Sequence, residues 1–425
     1  MWALWLGCAP EQVVNVHAIE PSEDPTDPTD PTDPTDPTDP TDPTDPTDPT
    51  DPTDPTDPTD PTDPNLPPSA AQIAVGPTPA GAAYDDLTCD VTTPSIDPEG
   101  ALVTYTVAWE RAGEPWLGPV STRALAGDTI PAAETAEGDS WTCRVVGSDG
   151  ALDSDPVEAS VDVLPVLVLA GGDASLADGT YDYAVISLTD GATLTVTGEV
   201  VLTAREVWID DTSAIDGDGG GSPGGLAKLD GEGDGAGQGK NQDAGSGAGH
   251  GGEGGEGGDS YTTLAGGPAY GASNTLDVML GSGGGGAGST YAGDDGAGGA
   301  GGAAVWIVAA TITVDGVVRV SGADGQSTSD GAGGGSGGTV LLQGDTVTVH
   351  GELRADGGDG GDGLHFYGYG AGGGGGGRIK VFYDTLLDDA GAVLRARGGV
   401  AGYSYYNTPG DGANGTFVAV ALPWP

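Results

Sequence analysis

Aspartates recur every third residue in Gly357-Gly358-Asp359-Gly360-Gly361-Asp362-Gly363-Leu364-His365. Regularly spaced carboxylate oxygens are the hard ligands that calcium takes, so Asp359 and Asp362 are the candidate metal ligands and calcium the one candidate ion. Tyr367, Tyr369, Tyr403, Tyr405 and Tyr406 lie in the same kind of glycine-rich surroundings. Tyrosines grouped in loops suit contact with a glycan or a cell-surface protein, because the ring stacks on an apolar face and the hydroxyl reaches a polar partner. A third set is Gly249-His250-Gly251, Asp294-Asp295 and Arg378-Ile379-Lys380. A carboxylate pair can straddle a glycosidic bond, but this pair sits in a glycine tract and not on a strand face, so no catalytic residue is assigned and the chain is read as a non-enzyme. The four histidines, His17, His250, His350 and His365, show no metal spacing.

These residues are carried by a repeat. Val305-Trp306-Ile307-Val308, Thr311-Ile312-Thr313-Val314, Asp315-Gly316 and Val317-Val318-Arg319-Val320 run into a glycine tract, and the pattern restarts at Val340 and Ile379, with a closing strand at Phe417. An earlier copy reads Val200-Val201-Leu202, Val207-Trp208-Ile209 and Ile215. Self-similarity at this period marks a stacked architecture. In Thr311 to Val314 and Thr346 to Val349 the aliphatics alternate with threonines, the signature of strands buried on one face. Val314-Asp315-Gly316-Val317 also reads as a two-residue hairpin turn, so an array of β-hairpins is the alternative fold. Within the tracts glycine often falls on a three-residue period, as in Gly251-Gly252-Glu253-Gly254-Gly255-Glu256-Gly257-Gly258. That period suits close-packed polyglycine-II helices, with floppy loops as the competitor.

Composition excludes several partners. The chain has 81 Gly and 32 Pro in 425 residues and a net charge of -53, which repels phosphate backbones, so nucleic acid is not expected. Residues 24–65 form a disordered Asp-Pro-Thr stalk, because proline every third residue fixes φ and removes backbone donors. Residues 66–164 carry short strand-like runs at Gln72 to Val75, Asp86 to Val91, Leu102 to Trp109, Ser140 to Val146 and Val157 to Val163. Cys89 and Cys143 lie on two of these runs and can pair, which implies an oxidising compartment and leaves Cys8 as the odd cysteine.

Four resemblances follow from these residues. Met1-Trp-Ala-Leu-Trp-Leu-Gly-Cys8 resembles the end of a bacterial lipoprotein signal, which implies lipidation at Cys8, a membrane partner through that anchor, and an outer-membrane, cell-surface or secreted address for residues 1–23 as the tether. The order Cys89, Trp109, Cys143 resembles the immunoglobulin-like core, which implies a β-sandwich over 66–164. The repeats of 165–425 resemble the right-handed parallel β-helix of filamentous-haemagglutinin and autotransporter adhesins, and the glycine tracts resemble those of glycine-rich phage tail adhesins. The expected fold class is therefore all-β, an Ig-like sandwich followed by a solenoid with long glycine-rich loops, and the expected role is structural or adhesive, with a calcium-binding extracellular matrix protein or a polysaccharide-active β-helix enzyme as the alternatives. Two further likenesses are partial. The nonapeptide at 357–365 fits the calcium repeat of RTX proteins, which works in tandem copies, and no second copy is present. The GHG, paired-Asp and RIK elements are similar to those of polygalacturonases, but GHG precedes the Asp pair here.

Overall fold

A computed structural model describes residues 64–258, 263–288, 295–405 and 408–424. The tether, the stalk up to residue 63, Cys8, Tyr406 and Asp294 lie outside the described residues. The described chain is essentially all-β. One short 3-10 turn, Ala132–Glu134, is the helical element among the described residues.

The N-terminal module pairs Gln72–Gly76, Leu87–Thr93 and Thr129–Ile130 in one antiparallel sheet. A second sheet holds Ala80–Gly81, Val157–Leu164, Ser140–Ser148, Thr104–Arg111 and Glu114–Pro115. The disulfide joins Cys89 of the first to Cys143 of the second, with the Cα atoms 6.2 Å apart. Trp109 lies opposite Cys143 in register, and its indole N–H donates to the Gly127 carbonyl at 2.9 Å. Trp141 is fully buried beside it, with Leu87, Ile130 and Val163 completing the core. The runs read from sequence are the long strands here. The short strands Ala80–Gly81, Glu114–Pro115 and Thr129–Ile130 had no alternation long enough to mark them.

After residue 165 the strands of both sheets pair in parallel. Val166–Ala170, Val185–Thr189, Glu199–Ile209, Ala304–Val314, Thr339–Val349, Arg378–Asp388 and Thr416–Ala421 follow one another across one sheet, with Gly179–Asp182 also pairing Glu199–Ile209. Asp173–Leu176, Thr193–Val196, Ala214–Asp216, Val317–Arg319, Glu352–Arg354 and Val393–Arg395 form a second. The chain alternates between the two, so like residues stack. Val200, Val305, Val340 and Ile379 share one row, and Leu194, Ile215, Val318, Leu353 and Leu394 another. One hydrophobic core lies between the sheets, and each fully buried Val or Ile in it contributes about 1.5–3 kcal/mol.

The hairpin-array alternative fails at its own turn. Ala304–Val314 and Val317–Arg319 belong to different sheets, so Asp315-Gly316 is a corner between them. A type I′ hairpin needs positive φ at both central residues, and neither Asp315 nor Gly316 has it. An added Cβ at Gly316 would strike the carbonyls of Asp210 and Ser213, so glycine serves close stacking of the corners.

The glycine tracts leave the stack after Asp216, Arg319, Arg354 and Arg395 and return at the next long strand. They form a backbone-bonded bundle. Successive residues of one tract donate to three neighbours in rotation: Gly372 to Gly245, Gly373 to Gly410, Gly374 to Gly358, then Gly375 to Ala248, Gly376 to Ala413 and Gly377 to Ala355, at 2.7–3.2 Å. A three-residue turn that bonds outward in three directions is the polyglycine-II arrangement. The need for glycine here is spatial. None of Gly372 to Gly377 has a left-handed φ, yet a Cβ on Gly374 would overlap the Gly335 carbonyl, and one on Gly377 that of Gly338.

Candidate functional site

At the outer turn of the tract that runs from Arg354 to Arg378, the chain reads Leu364-His365-Phe366-Tyr367-Gly368-Tyr369. The Gly368 N–H donates to the His365 carbonyl at 2.8 Å, closing a tight turn that pushes Phe366 and Tyr367 outward. The next tract runs alongside with a three-residue step: Gly357 donates to Arg397, Gly360 to Val400 and Gly363 to Tyr403. This ladder brings Tyr403 and Tyr405 up to the turn. Phe366 lies 5.1 Å from Tyr367 edge-on and 5.9 Å from Tyr405, and Tyr405 lies 5.1 Å from Tyr403. Four aromatic rings thus share one exposed patch, each between 58% and 63% accessible. His365 flanks it, 6.2 Å from Tyr367.

Of the tyrosines singled out in the sequence, the structure brings together Tyr367, Tyr403 and Tyr405. Tyr369 is half-buried one turn inward, where its N–H donates to Asp330 at 3.0 Å. Phe366 was not among them. Its signal was its place between His365 and Tyr367 in a chain with only three phenylalanines.

Asp359 and Asp362 are exposed and engaged with backbone. Asp359 accepts the Val400 N–H at 2.7 Å, Asp362 accepts that of Tyr403 at 2.6 Å, and the preceding Asp356 accepts that of Arg397 at 2.8 Å. The aspartate period of three matches the bundle's period, so each carboxylate satisfies an outward N–H that no further glycine chain reaches. Among the described residues no group of three or more acidic, histidine or cysteine side chains gathers as a metal site.

Of the third sequence set, His250 and the Arg378 and Lys380 pair come together inside the protein, and Asp295 does not join them. His250 is fully buried and stacks on Tyr270 at 4.7 Å, and its Nδ1 donates to the Gly337 carbonyl at 2.7 Å. Its Nε2 has no hydrogen-bond partner. Burial first, then the neighbouring Arg378 and Lys380 charges, hold its pKa down at about 4. Burial likewise lowers Lys380 and Arg378 and pushes the Tyr270 phenol up to about 12. Lys380 donates to the carbonyls of Thr275 and Asp277 at 3.1 and 2.6 Å, and Arg378 to those of Tyr270 and Gly271 at 2.6 and 2.9 Å. The two cations therefore pin the 270–277 segment over the outer face of the sheet. Asp295 instead pairs with Lys228 at 3.2 Å. A cavity of about 260 Å³ lies nearby, lined by Glu199, Ser222, Asp234, Tyr270, Met279 and Leu280. It is smaller than the pockets that enclose drug-sized ligands.

No protein family, curated protein or solved structure matches this chain.

Proposed function

We propose that this chain is an extracytoplasmic, non-catalytic binding scaffold of a bacterial envelope, tethered through Cys8 and the Asp-Pro-Thr stalk. In this reading residues 66–164 are an Ig-like sandwich, residues 165–425 a right-handed parallel β-helix, and the glycine bundle displays an adhesive surface. The observation that carries it is the patch of Phe366, Tyr367, Tyr403 and Tyr405. Exposed aromatic rings held on a close-packed backbone bind with little ordering cost, and their faces stack on the C–H faces of sugar rings while the phenols hydrogen bond. The disulfide supports an oxidising compartment.

Affinity electrophoresis of the full chain in gels cast with a panel of bacterial and host polysaccharides tests this. Retardation by at least one glycan is expected, with Tyr403→Ala and Tyr405→Ala each weakening it about tenfold. Retardation that survives the double substitution would move the site elsewhere, and no retardation by any polymer would remove the glycan.

A further inference from the structure

We propose that the ligand of the aromatic patch is a glycan carrying free, protonated amino groups, an inference that rests on the glycan-binding reading above and narrows it. Ring orientation points there first. Phe366 meets Tyr367 at an interplanar angle of 89°, and Tyr403 meets Tyr405 at 77°, whereas Phe366 and Tyr405 are tilted by only 34°. A sugar face stacks on rings that are close to coplanar, and of these pairs Phe366 with Tyr405 comes nearest to such a platform. The two steep pairs form corners instead. Each corner sets one ring face at right angles to another, so the negative faces converge on a point where an ammonium group is attracted.

Charge agrees with the rings. Segments 357–370 and 398–412, which carry the patch, contain Asp359, Asp362 and Asp411 and no lysine or arginine. Asp362 is fixed against the patch itself, since its Oδ1 accepts the Tyr403 N–H at 2.6 Å. Asp359 and Asp411 hold the N–H groups of Val400 and Ala401 just before it, at 2.7 and 2.8 Å. All three are exposed, and each of these bonds occupies one oxygen and leaves the other for an outside donor. Exposed carboxylates are common in this chain and would not select a ligand by themselves. Here they stand beside paired ring corners.

Rings and carboxylates together set the chemical class. A uronate or sulfated glycan would bring its anions against Asp359 and Asp362 and is repelled. A neutral glycan can stack on Phe366 and Tyr405 but gives the corners and the carboxylates nothing to bind. A hexosamine polymer with free amines meets both. The C–H face of one sugar lies on the Phe366 and Tyr405 pair, and a nearby ammonium enters a corner and donates to a carboxylate. Exposed ion pairs and exposed cation–π contacts are each weak, so the preference over the acetylated sugar is about fivefold.

Fluorescence anisotropy of the full chain with end-labelled trimers of β-1,4-linked glucosamine and of its N-acetylated form is the test. It is run in about 0.15 M NaCl, at a pH where the sugar amines are protonated. The amine trimer is expected to bind about fivefold more tightly. Asp362→Asn keeps an oxygen for the Tyr403 N–H and removes the charge, and is expected to narrow the ratio between the trimers to about twofold. Asp162→Asn removes the same charge from an exposed strand position of the N-terminal module and is expected to leave the ratio as it is. Equal affinity for the two trimers would overturn the inference and leave the glycan reading standing. So would a ratio that Asp362→Asn leaves unchanged, or one that Asp162→Asn narrows as much, since the net charge of -53 would then be its source. A trilysine peptide that binds as tightly as the amine trimer, with the same dependence on Tyr403, would overturn it in favour of a basic protein segment. Binding of neither trimer, or binding that survives the Tyr403→Ala and Tyr405→Ala pair, would remove the glycan reading itself and this inference with it.

Discussion

The strand stack and the glycine bundle solve the same burial problem with opposite means. In the stack, Val and Ile rows fill the space between two sheets, and side chains supply the contact. In the bundle, side chains are nearly absent, and backbone groups of one tract satisfy those of three others. The difference teaches that glycine abundance by itself does not imply looseness. The conformational freedom that makes glycine costly to order is offset where every N–H and C=O finds a partner and chains approach to backbone contact.

The sharpest way to break the comparison is one methyl group. Gly374→Ala drives a Cβ into the Gly335 carbonyl and is expected to cost about 4 kcal/mol, because two hydrogen-bonded backbones must part. Gly391→Ala, where φ is +90° and the space is open, is expected to cost only about 1–2 kcal/mol. Equal losses for the two in guanidinium unfolding would mean that the bundle is not close-packed. In the stack the expectation reverses with size: Ile312→Ala is expected to lose about 3 kcal/mol by cavity formation, again read from unfolding midpoints.

The seam between the two regions has its own signature. His250 reaches from one glycine tract to the Gly337 carbonyl of another and packs under Tyr270. Its folded pKa, about 4, lies below the ordinary 6.5, so the unfolded chain takes up the proton first. Stability from this group is therefore complete above pH 6.5 and falls as pH drops toward 4, by on the order of 3 kcal/mol. Melting curves across that window should show the slope in the wild type and lose it in His250→Asn. A slope that persists would assign the acid sensitivity to other groups.

The smallest effect belongs to the stack's exposed corner. His350 lies 3.1 Å from Asp315 and 3.5 Å from Asp388 on neighbouring turns, and hydrogen bonding to Asp315, then Asp388, raises its pKa. This contribution has the opposite sign to that of His250. It is fully present below the unfolded value near 6.5 and is lost as pH rises through the folded one. NMR titration of the His350 ring should show the upward displacement, and Asp315→Asn should reduce it.

Much of this was legible in the residues. Alternating Thr and Val at 311–314 and 346–349 marked strands with one buried face, and Cys89, Trp109 and Cys143 marked a common core. The aspartates at 356, 359 and 362 were legible as a period but not as a role. Only with a neighbouring tract in place are they hydrogen-bond acceptors for Arg397, Val400 and Tyr403. The hairpin reading of Asp315-Gly316 failed for a related reason, since a two-residue corner looks the same whether the chain folds back or moves to another sheet.

What the sequence determined alone is local: which residues alternate, where proline forbids a core, and where a three-residue glycine period permits chains to touch. These follow from the geometry of a single strand or turn. What the tertiary structure decided is which distant segments meet: Tyr403 and Tyr405 beside Phe366, His250 beneath Tyr270, and Phe417 beside Ile379. Those meetings depend on the stacking register and on hydrogen bonds between tracts tens of residues apart, and neither is written in any one window of the chain.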